Sequence, residues 1–137
     1  MYLEHLVEIS TIEDIKMECK ARLDRNNVMD WVKTIAGFAN AEEGSFFVGV
    51  ENKTNKLIGF SRKDADNERN FFINKINEHV FPRPAMKISF IRYERNEREL
   101  YLMRVAIPSL IHWNQKNRIQ GRIILSFWRF IKNTTMV

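Results

Sequence analysis

The sequence predicts an α+β domain: two helices packed on a mixed, mostly antiparallel sheet, in the order β-α-β-β-α-β-β. Three observations lead there. Apolar residues recur at helical spacing in two segments, Val28 to Asn40 and Asp64 to Val80. Around them stand short runs rich in β-branched and aromatic residues, "SFFVGV", "KLIGF", "MKISFIRY" and "ELYLMRVAI". Polar turns, "ENKTN" and "ERNE", join those runs in pairs. Helices alternating with hairpins give a sheet that is mostly antiparallel.

Residues 1–10 read as a short helix or an extended arm. "IKMECKA", 15–21, alternates as a half-buried strand does, with Ile15, Met17, Cys19 and Ala21 on one face and Lys16, Glu18 and Lys20 on the other. Asn27 is placed to cap the first helix, 28–40, with Asp30 three residues on. Val28, Trp31, Val32, Ile35, Phe38 and Ala39 form that helix's apolar stripe. It ends in "NAEEG", where Gly44 is expected to take a positive φ and reverse the chain. Residues 45–60 then form a hairpin. Asp64 or Asp66 is the expected cap of the second helix, whose inward residues are Phe72, Ile73, Ile76 and Val80 and which "FPRP" stops. A second hairpin closes the domain at Pro108. Beyond it, "RIILSFWRF" has no clean polar face and reads equally as strand or helix.

At 137 residues, 45 % apolar and 28 % charged, the chain is one globular unit, neither disordered nor membrane-spanning. "MYLEHLVEIS" carries Glu4 and Glu8 without a basic flank, so no signal peptide is expected. A lone cysteine, Cys19, suits a reducing, cytoplasmic setting. The net charge is +5, but residues 1–108 hold all 17 acidic residues and 17 of the 22 basic ones. The excess therefore belongs to a basic tail, 109–137, through Lys116, Arg118, Arg122, Arg129 and Lys132. A phosphate cradle needs a Gly-rich loop running from strand into helix. "IAGFANAEEGSFFVGV" runs the other way, and no G-x-x-x-x-G-K-[ST] occurs, so no ATP site is expected. His5, His79 and His112 show no metal spacing.

"MECK" followed by "TIAGFANAEEGSFFVGVENKTNKLIGF" resembles the Schlafen/AlbA-type DNA-binding domain, also described as Schlafen AlbA_2. The matching pieces are Glu18-Cys19-Lys20, Phe38-Ala39-Asn40, Gly44, Gly49-Val50, Glu51 and Ile58-Gly59, with "FPRP" and "VAIP" at 105–108 where the family has such elements. The resemblance covers roughly residues 10–108, which makes 1–108 the expected domain. Glu43 departs from the family's glycine pair, Cys19 stands where an aromatic is usual, and the later arginine-bearing strand is not recognisable after Pro108. Two readings of the tail stand, a divergent ending and an altered reading frame.

In the Schlafen branch the resemblance implies a ribonuclease site of three acidic residues. By position these are Glu13, Glu18 and the site now held by Asn52, with Glu51 beside it. Such carboxylates would hold Mg²⁺ or Mn²⁺, which suit oxygen ligands. An amide brings no charge, so Asn52 weakens the set. Lys20 shares a face with Glu18 and is placed to contact a phosphate or orient a water. For nucleic-acid contact the candidates are Lys20, Asn40 and the second hairpin's Lys87, Arg92, Arg95, Arg98 and Arg104, interleaved with Tyr93 and Tyr101. Three functions follow as expectations: a nucleic-acid-binding module contacting the phosphate backbone of DNA or RNA, a metal-dependent endoribonuclease, or a regulatory domain forming homo- or hetero-oligomers through its tail.

Overall fold

The structure, a computed structural model, describes residues 1–6, 16–40, 43–81 and 83–108. A 3₁₀ turn, Leu3–His5, precedes β1 (Lys16–Lys20), α1 (Val28–Asn40), β2 (Gly44–Val48), α2 (Arg62–His79), β3 (Lys87–Arg95) and β4 (Arg98–Ile107). The sheet order is β1-β2-β4-β3. β1 runs parallel to β2, which the α1 crossover requires. β2–β4 and β3–β4 are antiparallel. The α+β class and the mixed sheet are as expected, and α1 has the bounds that its apolar stripe marks out.

Two layers of core sandwich the sheet. On the helix side, Trp31, Ile35 and Phe38 of α1 and Phe72 and Ile76 of α2 close over Phe46, Val48, Met103 and Val105. Trp31 stacks on Phe72 with ring centroids 5.5 Å apart. On the other side, Cys19, Phe47, Tyr93 and Leu102 are covered by Leu3, Val50 and Leu57. Every residue of β2 is buried as a result, which explains why "SFFV" shows no alternation.

"KLIGF" differs from expectation. It pairs only through isolated bridges, Tyr2 with Lys56, Val50 with Leu57 and Phe60 with Tyr101. Gly49 (φ 100) and Gly59 (φ 72) bend the chain here, and Leu57 reaches one core layer and Phe60 the other. Met1 and Leu3 complete this corner: the Leu57 N–H donates to the Met1 carbonyl at 2.9 Å and the Leu3 N–H to that of Asn55 at 2.8 Å.

The start of α2 also differs. Ser61 caps α2, its hydroxyl accepting the Asp64 N–H at 3.2 Å, so Asp64 lies inside the first turn. Ahead of α1 the Asp24 carboxylate accepts the N–H groups of Asn26 and Asn27, at 2.8 and 3.0 Å. Gly44 is no left-handed turn residue; it is the first residue of β2, and its reason is space. A Cβ there would lie 2.4 Å from the Phe38 ring.

Candidate nucleic-acid interface

The β3–β4 register sorts the cations that sequence could only group. β3 begins with Lys87 opposite Ala106 and Ser89 opposite Arg104, and β2 places Phe47 opposite Arg104. Phe47 belongs to the core layer remote from the helices, so Lys87, Ser89 and Arg104 share that face. The Arg104 guanidinium stands 5.7 Å from the Phe47 ring centroid, within cation–π range. Its Nε is buried and has no hydrogen-bond partner among the described residues. A donor in that state is normally met by a partner, water or ligand.

Two adjoining hollows open at this end of the sheet. The larger, about 420 Å³, lies among Glu43, Ser45, Met86, Lys87, Arg104 and Pro108. The smaller, about 230 Å³, is formed by Lys87, Ser89, Arg104 and Ala106. Lys87 and Arg104 line both. Ser45, Ser89, Met86 and Pro108 were not singled out from sequence. Ser89 sits two residues from Lys87, a period-2 signal, but only the hairpin register brings Arg104 beside them.

The remaining expected contacts lie elsewhere. Arg92 faces the helix side opposite Tyr101, where its Nε pairs with Glu99 and its Nη2 lies 3.5 Å from Glu94. The Tyr101 hydroxyl donates to Glu99. That bond, helped by the Arg92 charge, holds the Glu99 carboxyl below its ordinary value; the same bond, against the Arg92 charge, pushes the Tyr101 phenol above its own. Arg95 donates to the Leu57 carbonyl at 3.1 Å and so anchors the corner. Arg98 is exposed beside the hairpin tip. Asn40 is the last residue of α1 and half-buried. Of the hairpin cations, Arg92 alone faces the helices; the others share the opposite face in two separate pairs, Arg95 across from Arg98 at the tip and Lys87 with Arg104 at the far end.

Glu18 is half-buried opposite Phe46, on the helix side. Lys20, two residues on, pairs with Asp30 of α1 at 3.0 Å. The Lys20 carbonyl accepts the N–H groups of Gly49 (2.8 Å) and Val50 (3.2 Å), which ties the end of β1 to the turn carrying Glu51 and Asn52. Both turn residues are exposed, and the Asn52 side-chain oxygen accepts the Lys53 N–H at 3.1 Å. Glu13 lies outside the described residues. Among those described, no group of three His, Cys, Asp or Glu side chains is arranged to hold a metal ion.

Sequence expectation passed over one buried charge. Glu68 of α2 accepts the Leu23 N–H at 3.1 Å and pairs with Arg25 at 2.7 Å, and the Arg25 guanidinium lies 3.9 Å above the Phe71 ring. This clamp fixes the β1–α1 link, and with it the end of the Glu18–Lys20 strand, against α2. Cys19 faces the other core layer, where burial, reinforced by the Glu18 charge, pushes its thiol up to about 11. That makes it a packing residue rather than a nucleophile.

Fold and face together define an α+β domain whose helices cover one side of a mixed sheet and whose other side carries a cationic pair at its end. Residues 13–128 match the family model described as Schlafen, AlbA_2, and the chain belongs to that family. The family is generally related to nucleic acid. The matched span runs past Pro108 and takes in Arg118 and Arg122 of the basic tail. No curated protein matches the chain. No helix among the described residues is long and apolar enough to cross a membrane.

Proposed function

We propose that the protein is a nucleic-acid-binding module that holds the sugar–phosphate backbone at the Lys87–Arg104 end of its sheet. The observation that carries this is the Arg104 Nε, buried and without a partner among the described residues, beside Lys87 at paired hollows. A phosphate supplies the acceptor that this donor lacks and the charge that both cations favour. Backbone contact of this kind positions a nucleic acid without reading its sequence.

The test is a salt-titrated binding assay on duplex DNA, single-stranded RNA and structured RNA. Affinity should fall with salt, and Lys87→Gln should remove about one phosphate contact, lowering the log–log salt slope by roughly 0.7–0.9. Binding indifferent to salt, or unchanged in Lys87→Gln, would refute the assignment.

A second reading, a divalent-metal-dependent endoribonuclease, is favoured by the tie between the Lys20 carbonyl and the Gly49–Val50 backbone, which keeps the two halves of the acidic motif adjacent. The residues in question are Glu13, Glu18, Glu51 and Asn52, with Lys20 beside them. Asn52→Asp restores the missing carboxylate. If Mg²⁺- or Mn²⁺-dependent RNA cleavage rises sharply in that variant, the acidic motif is catalytic in kind. If it stays at background, the binding role stands alone.

A further inference from the structure

We propose that the paired hollows form a subsite for one unpaired nucleotide, its phosphate in the smaller hollow and its nucleoside in the larger, so that the protein prefers single-stranded to duplex nucleic acid. This rests on the backbone-binding reading above and says what that site accepts.

The two hollows differ in chemistry. The smaller is built from Lys87, Ser89, Arg104 and Ala106: two cations, one hydroxyl and one methyl group. That composition suits a phosphate and offers little to a base. The larger hollow adds the apolar surface of Ala85, Met86, Ile107 and Pro108, and the Glu43 carboxylate. A phosphate placed there would meet a like charge, whereas a base amino group or a sugar hydroxyl would find an acceptor in Glu43. Polarity therefore runs across the groove, and Lys87 and Arg104, common to both hollows, mark the join between phosphate and sugar.

Size points the same way. At about 420 Å³ the larger hollow falls within the usual range of small-molecule sites, roughly 300–1,000 Å³, and a lone phosphate would leave most of it empty. A base in a duplex lies between its stacked neighbours with its pairing edge engaged, so it cannot enter a side hollow without leaving the helix. A single-stranded base is free to do so.

The experiment uses the whole chain and a fluorescent single-stranded oligonucleotide, compared at one ionic strength with the same strand annealed to its complement. A 5′-mononucleotide and inorganic phosphate serve as competitors. The single strand should bind about tenfold more tightly, the weight of roughly one apolar group packed into a pocket. The mononucleotide should displace it at concentrations where inorganic phosphate does not. Ala85→Leu, which fills the larger hollow without adding charge, should abolish the single-strand preference and leave salt-dependent duplex binding in place. Equal binding of both forms, with phosphate as good a competitor as the mononucleotide, would overturn the nucleotide subsite while leaving backbone binding intact. Loss of all binding in the unmodified protein would overturn both.

Discussion

At Gly44 one methyl group decides whether α1 can lie on β2. The added Cβ would sit 2.4 Å from the ring of Phe38, itself buried, so neither neighbour has room to yield. Gly44→Ala should therefore cost about 1–3 kcal/mol, the range for overpacking a closed core, read from urea denaturation midpoints. Cys19 offers a second test. Its folded thiol titrates near 11, above the ordinary value of 9.0, chiefly through burial. The protonated form is thus favoured by folding. That contribution is fully present below about pH 9 and is lost as pH rises towards 11, about 2–3 kcal/mol over the interval at 1.36 kcal/mol per unit. Tyr93, raised by burial, adds a loss of the same sign. Stability measured from pH 8 to 11 should fall less in Cys19→Ala than in the parent chain, and a thiol reagent at pH 8 should react with Cys19 slowly until denaturant is added. The inward-facing Cys19 was legible in the alternation of "IKMECKA". The packing role of Gly44 was not, because the ring that excludes a side chain comes from the preceding helix and only the folded contact reveals it.

Among the elements, the β3–β4 hairpin is held by a two-residue turn, Asn96-Glu97, with φ of 52° and 63°. That turn matches strand twist well but suits Asn followed by Gly far better than Asn followed by Glu. Glu97→Gly should raise stability by about 0.5–1 kcal/mol, measured as a higher midpoint with an unchanged denaturant slope. The hairpin itself was plain from "MKISFIRY", the polar turn and "ELYLMRVAI". Which of its cations are free was not. Arg95 is taken up by the Leu57 carbonyl, 38 residues away, and Arg92 by Glu94 and Glu99 on its own face. "KLIGF" looked like a strand because Leu57 and Phe60 are both buried. Leu57 and Phe60, three residues apart, reach opposite core layers as strand residues would, but with Gly49 and Gly59 at positive φ the segment pairs only through isolated bridges. Asp64 was the expected cap for α2, but Ser61 accepts its N–H; composition alone cannot choose between polar residues three apart.

Over the whole molecule, charge is divided: residues 1–108 are neutral, and the +5 resides in Lys116, Arg118, Arg122, Arg129 and Lys132. The cationic pair on the sheet is therefore a local feature in a neutral body, and the long-range field belongs to the tail. Changing those five to Gln should slow association and flatten the salt dependence of binding, while the difference between single strand and duplex, set at the hollows, should persist. Stopped-flow association at two salt concentrations reads the first effect, and equilibrium titration the second. Truncation at Pro108 is the poorer test, because the family match continues to residue 128.

The sheet order β1-β2-β4-β3 also bears on synthesis. β2, buried along its whole length, gains its partner on one side from β1 and on the other only from β4, fifty residues further along the chain. A nascent chain that has released α2 but not Arg98–Ile107 carries "GSFFV" with one edge open and apolar on both faces, the form of strand most prone to recruit another chain. Ribosome stalling within that interval should make the product aggregate or call on a chaperone, and release of the β3–β4 hairpin should end the hazard in a single step.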